Sequence, residues 1–185
     1  MQGRLKLALA AAALLMTVGN GAIFAQQQKS DRAAKPAAPK PMSAQAKRGR
    51  YLVQTSGCND CHTPGYAMSG GKVDEKNWLI GDSLGWRGPW GTTYPTNLRL
   101  VAQSMNEAQF MARARSELRP PMPWFNLRDM SDSDVKSIYA YLKHVGPSGV
   151  AAPAYLSPDK APTLPFVQFP SPPPSGAPAP AAKSR

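Results

Sequence analysis

The chain has 185 residues, 42% apolar and 18% charged, which suits one ordinary domain of about 100 to 150 residues with little to spare. Its only cysteines, Cys58 and Cys61, exclude a disulfide-rich scaffold and any four-cysteine zinc or iron–sulfur site. The formal charge of +11 falls to +9 without Arg4 and Lys6 and is spread thinly, +3 over residues 26–42, +4 over 43–145 and +2 beyond, without the clustered Lys and Arg of a nucleic-acid-binding module.

Residues 1–25 open with Arg4 and Lys6, continue through an apolar run from Leu7 to Val18, and reach Ala22-Ile23-Phe24-Ala25 before a Gln-rich stretch. This is the pattern of a secretory signal peptide cut after Ala25. The run is shorter than the roughly 20 apolar residues of a membrane span, so a membrane association is expected only if the segment is retained. Export points to the periplasm of a Gram-negative bacterium. Residues 26–42, rich in Ala, Lys, Gln and Pro, read as a flexible linker, and the folded domain is expected over 43–147.

A first helix is predicted from Ser43 to about Thr55, with Ala46, Gly49 and Val53 on one face and Leu52 beside them. An interior glycine costs about 1 kcal/mol relative to alanine, so Gly49 marks either a tolerated defect or a close helix crossing. Seven glycines lie from Gly65 to Gly91 among Trp78, Trp86 and Trp90, which suggests a long ordered loop closing over something flat and apolar. A second helix is signalled by the capping box Ser104-Met105-Asn106-Glu107, followed by Phe110, Met111 and Ala114. The third starts at Ser131, with Asp132 and Asp134 at the positive end of its dipole, and carries the stripe Val135, Ile138 and Leu142 to Val145, with Tyr139 and Tyr141 flanking. No strand pattern stands out. Eleven of the 20 prolines lie between Pro147 and Pro180, so residues 148–185 form a Pro-rich tail. Within it Tyr155, Leu156, Leu164, Phe166, Val167 and Phe169 are too apolar for a plain linker and suit an extended segment lying on the domain or on a partner.

The chemistry concentrates in Cys58-Asn59-Asp60-Cys61-His62. Two thiols at i and i+3 share one helical face, and an imidazole directly after the second can turn toward the same partner. That arrangement suits a haem held covalently by Cys58 and Cys61 with His62 on its iron. A redox disulfide would call for a strand-then-helix context, and zinc would need the remote His144 as fourth ligand. For the opposite side of the iron the candidates are Met68, Met105, Met111, Met122, Met130 and His144, or an open position. Met68 is too near His62, Met105 and Met111 suit a core or wall, and Met130 suits a staple against Val135. Met122 stands in Arg119-Pro120-Pro121-Met122-Pro123-Trp124, where the prolines are expected to make a stiff extended segment presenting its thioether.

Together the Cys-x-x-Cys-His motif behind a helix containing Gly49 and Tyr51, Pro95-Thr96-Asn97-Leu98, Pro120 to Pro123 and the Ser131 to Val145 helix resemble a class I cytochrome c domain. The likeness covers about Ser43 to Val145 and is greatest to the monohaem domains of bacterial dehydrogenase-associated cytochromes. It implies an all-α fold of three main helices and long ordered loops around one covalent haem c per chain. It also implies that the first and last helices cross at Gly49 against Tyr141 or Tyr139. Positions on the haem-propionate side map onto Trp90, Tyr94, Asn97 and Arg99. The expectation is an exported electron carrier, not an enzyme, with Cys58 and Cys61 as thioether sites and His62 and Met122 as axial ligands. Its partners would be a dehydrogenase, an oxidase or another cytochrome. A backbone carbonyl, Pro64 for instance, is expected to receive the His62 ring N–H. A haem peroxidase or gas-binding sensor with an open distal site is the alternative.

Overall fold

Each of the four longer helices starts at a side chain that accepts a backbone N–H: Ser43, Asn97, Asn106 and Ser131. A computed structural model describes residues 41–170, and the expected signal peptide and most of the linker lie outside the described residues. Helix α1 spans Ala44–Thr55, its start fixed by the Ser43 hydroxyl, which accepts the Ala46 N–H at 3.1 Å. Its buried face is Ala46, Gly49, Leu52 and Val53. After a glycine in the left-handed region at Gly57 (φ 75°) comes the short helix α2, Cys58–His62. Helices α3 (Leu98–Ser104), α4 (Glu107–Ala114) and α5 (Trp124–Asp129) follow. The chain then enters α6, Asp132–Val145, which Ser131 caps by accepting the Asp134 N–H at 3.2 Å.

Six α-helices among the described residues replace the three expected, and two details differ. The capping box of α4 is Asn106 with Gln109, each side chain bonding the other's backbone N–H, because Ser104 is already the last residue of α3. Tyr141, expected on a flank of α6, is fully buried.

Helices α1 and α6 form the most extensive helix pair, and Gly49 is the reason they come so close. A Cβ at this position would enter the Ser137 carbonyl and stand 2.9 Å from the Tyr141 Cβ. The crossing expected at this glycine is therefore present, and Tyr141, not Tyr139, is its aromatic. Tyr139 instead packs on Phe110 with ring centroids 5.2 Å apart and donates its hydroxyl to the Met105 carbonyl. Gly49→Ala should force the helices apart and cost about 3 kcal/mol, the upper end of overpacking penalties; a melting temperature within a degree or two of the parent would refute the close crossing.

The same crossing encloses a polar network. The Tyr141 hydroxyl donates to Glu75 Oε1 at 2.8 Å, while the Arg50 guanidinium grips both Glu75 oxygens. Arg50 and Tyr141 hold the Glu75 carboxyl below its ordinary range, and burial beside that carboxylate raises the Tyr141 phenol. A 3₁₀ turn at Glu75–Asn77, capped by Asp74, presents the carboxylate.

A small sheet corrects the all-helical expectation. Strands β1 (Gly85–Gly88) and β2 (Gly91–Thr93) form an antiparallel hairpin pairing Gly88 with Gly91, and β3 (Phe166–Gln168) adds parallel to β1, giving the order β2-β1-β3. The apolar part of the tail thus lies on its own domain. Phe169 sits against Trp86 and Trp90, at centroid distances of 5.9 and 5.2 Å, and the Arg87 guanidinium donates to the Lys160 and Pro158 carbonyls.

Candidate haem site

One helical turn carries both thiols and the imidazole. Cys58 and Cys61 are free and partly buried. Burial pushes the Cys58 thiol up to about 11, and burial, followed by the nearby Asp60 and Asp82 charges, raises that of Cys61. Neither is a ready thiolate, which weakens the redox-disulfide alternative. His62 is 8% exposed, and burial lowers its pKa more than its hydrogen bond restores. The imidazole is thus neutral near pH 7, the form that ligates a metal.

The ring is oriented by a backbone carbonyl. His62 Nδ1 lies 2.7 Å from the Thr96 oxygen; a carbonyl can only accept, so Nδ1 carries the proton and Nε2 keeps its lone pair free. Thr96 thus fills the role that the sequence suggested for the Pro64 carbonyl. It is held in place because the Pro95 carbonyl accepts the Asp82 N–H at 3.1 Å and Asn97 caps α3. A second set of bonds locks the end of α2. The His62 carbonyl accepts the Gly81 N–H at 2.9 Å, and the Thr63 hydroxyl donates to Asn59 Oδ1 while accepting the Leu79 N–H, both at 2.8 Å. Gly81 has φ +79°, and a Cβ there would come within 2.8 Å of Asn97 N and the Pro95 oxygen, so only glycine permits this approach. Asn59 Nδ2 is the one buried side-chain polar atom without a hydrogen-bond partner among the described residues.

Met122 lies half-buried in the connection between α4 and α5. The expected extended segment is a turn, closed by the Met122 N–H bonding the Arg119 carbonyl at 3.3 Å, and the Met122 carbonyl accepts the Trp124 N–H at 2.8 Å. Pro123 then stands at the N-cap position of α5, without a side-chain cap, where its missing N–H costs nothing. The Thr93 hydroxyl anchors the turn by donating to the Pro120 carbonyl at 2.7 Å. Of the other candidates, Met68 is 94% exposed, Met111 and Met130 pack on the core, and His144 is exposed.

Three of the four residues implied for the propionate side have their polar groups committed elsewhere. Asn97 accepts the Leu100 N–H and donates to the Ser148 and Val150 carbonyls. Arg99 is buried and donates to Gly146, Val145 and Lys76 carbonyls at 2.6, 2.5 and 2.7 Å, closing the C-terminal end of α6. The Trp90 indole N–H points to the Trp86 carbonyl at 3.3 Å. Tyr94 is half-buried.

The donor set fits a covalently held haem: two free thiols three residues apart, then a neutral imidazole whose Nδ1 is tied back and whose Nε2 is free. A family model for cytochrome c matches residues 46–146, and the chain belongs to the cytochrome c family, whose domains carry covalently bound haem c. A nicotinate dehydrogenase component of Pseudomonas putida is 29% identical over 125 residues, 60% of this chain and 10% of that protein. The alcohol dehydrogenase (quinone) cytochrome c subunit of Gluconacetobacter polyoxogenes is 28% identical over 177 residues, 89% of this chain and 31% of its own. The gluconate 2-dehydrogenase cytochrome c subunit of Pantoea cypripedii is 30% identical over 127 residues, 63% of this chain and 26% of its own. The chain thus spans a third or less of the length of these relatives. No solved structure gives a significant match. No helix among the described residues is long and apolar enough to cross a membrane.

Proposed function

We propose that the chain is an exported monohaem c-type cytochrome that carries single electrons from a periplasmic dehydrogenase to a terminal acceptor. The observation that carries this reading is the His62 ring, buried and tied through Nδ1 to Thr96 in the same turn as two free thiols. Bound haem supplies a reversible one-electron couple between ferric and ferrous iron. Cys58 and Cys61 would hold it by thioethers, and His62 Nε2 and the Met122 sulfur would ligate its iron. The Thr96 carbonyl, drawing on the Nδ1 proton, makes Nε2 a stronger donor. A His/Met pair favours the ferrous form and sets a comparatively high potential. Tyr94 serves the propionate side. The relatives' names, each a component of a dehydrogenase, support a dehydrogenase as donor, and the basic balance of the domain suits an acidic docking face.

Electron-transfer encounters are small and transient, so charge controls their rate more than tight binding does. The rate constant for reduction by the true dehydrogenase should fall as salt rises past about 0.1 M, where exposed charges are screened beyond roughly 10 Å. A rate that is flat or rises with salt removes the steering argument. The proposal itself is tested with purified holoprotein. It should be reduced stoichiometrically by a substrate-loaded periplasmic dehydrogenase and should turn over hydrogen peroxide no faster than free haem. Rapid peroxide turnover without transfer from any dehydrogenase would favour the peroxidase reading.

A further inference from the structure

The segment after α6 lies beyond the family match, which ends at residue 146, and the function proposed above does not use it. Its course is nevertheless closely specified. Leu156 and Thr92 exchange both backbone hydrogen bonds, at 2.8 and 3.0 Å, and the Tyr155 hydroxyl donates to the Trp90 carbonyl at 2.8 Å. Gly91 between them has φ +98°, and a Cβ there would enter the Leu156 carbonyl and stand 2.9 Å from the Tyr155 ring. Only a residue without a side chain allows the tail to come this close.

Tyr155 then reaches the turn that holds Met122. The Arg119 guanidinium lies over the Tyr155 ring, 4.3 Å from its centroid, and the Arg119 carbonyl accepts the Met122 N–H. The next residue, Pro120, is held by the Thr93 hydroxyl, one position along the strand from the Thr92 that Leu156 pairs with. Both of the first two residues of the Arg119–Met122 turn are therefore tied to the tail, Arg119 directly and Pro120 through β2.

We propose that Tyr155 is a positioning residue for the distal iron ligand: the tail braces the Arg119–Met122 turn through the Arg119 guanidinium stacked on its ring. This inference rests on the reading of Met122 as that ligand. An external ligand that competes with a methionine binds only molecules whose methionine is displaced, so its apparent affinity reports the population of the released turn. Loosening the brace raises that population. Removing one exposed cation–π contact shifts such an equilibrium about two- to fivefold, and losing a hydrogen bond with it raises this to about tenfold.

The test is the binding of imidazole to the full-length ferric holoprotein, followed in the visible spectrum, with melting temperatures measured in parallel. Arg119→Gln should tighten imidazole binding about two- to fivefold, and Tyr155→Leu, which also loses the bond to Trp90, by up to about tenfold. Because both remove the same contact, the double variant should bind no more tightly than the stronger single one. Tyr155→Phe keeps the stacked ring, loses only the bond to Trp90, and should shift binding less than Tyr155→Leu. Arg119→Gln removes the same contact from the other side and keeps the inference testable if Tyr155→Leu fails to fold, since parental affinity in Arg119→Gln would also overturn it. Parental affinity in Tyr155→Leu, or effects that multiply in the double variant, would overturn the positioning role. Met122→Ala is run alongside to separate the two claims. If it keeps the parental spectrum and imidazole affinity, the ligand assignment is wrong and the inference falls with it. If it binds imidazole readily while Tyr155→Leu behaves as the parent, only the role of Tyr155 is refuted.

Discussion

Replacing Cys58 and Cys61 together by alanine is expected to leave almost no folded protein in the periplasm. The core is small: among the described residues its fully buried large aliphatic and aromatic side chains are Val53, Leu79, Val135, Tyr141 and Leu142. A domain of about a hundred residues buries barely enough surface to offset its chain entropy. Covalent haem adds a large apolar face that binds the native state alone and so stabilises it by linkage. Expression of the double variant, followed by circular dichroism and protease resistance of whatever is exported, checks this. Recovery of a haem-free protein with the parental helix content and cooperative melting would contradict it.

Met122→Ala should act on the iron and leave the attachment intact. Haem should remain bound covalently, since Cys58 and Cys61 are untouched. The weak far-red band of methionine coordination should vanish, and the potential should fall by on the order of a hundred millivolts, a modest part of the ~0.8 V range that axial ligands span. Met130→Ala is the control. Met130 is the residue just before Ser131 and packs on the core, so its loss should cost about 1–2 kcal/mol of packing and leave the band in place. If Met130→Ala abolishes the band and Met122→Ala preserves it, the two residues have been assigned the wrong way round.

How far the sequence discloses this molecule depends on where each signal resides. Helices α1 and α6 are legible because Ser43 and Ser131 announce their starts and their apolar stripes run at helical spacing. The cost of a glycine inside a helix marks Gly49 as unusual but leaves a tolerated defect and a close crossing both open; the resemblance to class I cytochrome c domains is what implies the crossing. The start of α4 is ambiguous, since Ser104 to Glu107 and Asn106 to Gln109 both spell a capping box; the second prevails because α3 occupies Ser104. The sheet is hidden for two reasons. Half of β1 is glycine, which reads as turn, and β3 is paired across the chain, with Gln168 and Arg87 81 residues apart.

At the site, side chains are readable and backbone groups are not. Cys58, Cys61 and His62 declare themselves by spacing, whereas the carbonyl that orients His62 belongs to Thr96, 34 residues along the chain, and any residue offers a carbonyl. The same limit applies to the structural partners of Asn97 and Arg99. Their polarity is consumed by the carbonyls of Ser148, Val150, Val145 and Gly146, partners with no sequence signature. Arg119 and Tyr155, whose contact braces the methionine turn, lie in segments that look unrelated until the tail folds back.

A haem iron closed on both faces by His62 and Met122 has a distinct optical signature. The purified ferric protein is scanned in the far red, then reduced and exposed to carbon monoxide. The ferric form should show the weak methionine-to-iron band, and carbon monoxide should leave the ferrous spectrum unchanged on mixing. Absence of the band, together with immediate carbon monoxide binding, would contradict this closure and identify an open distal site.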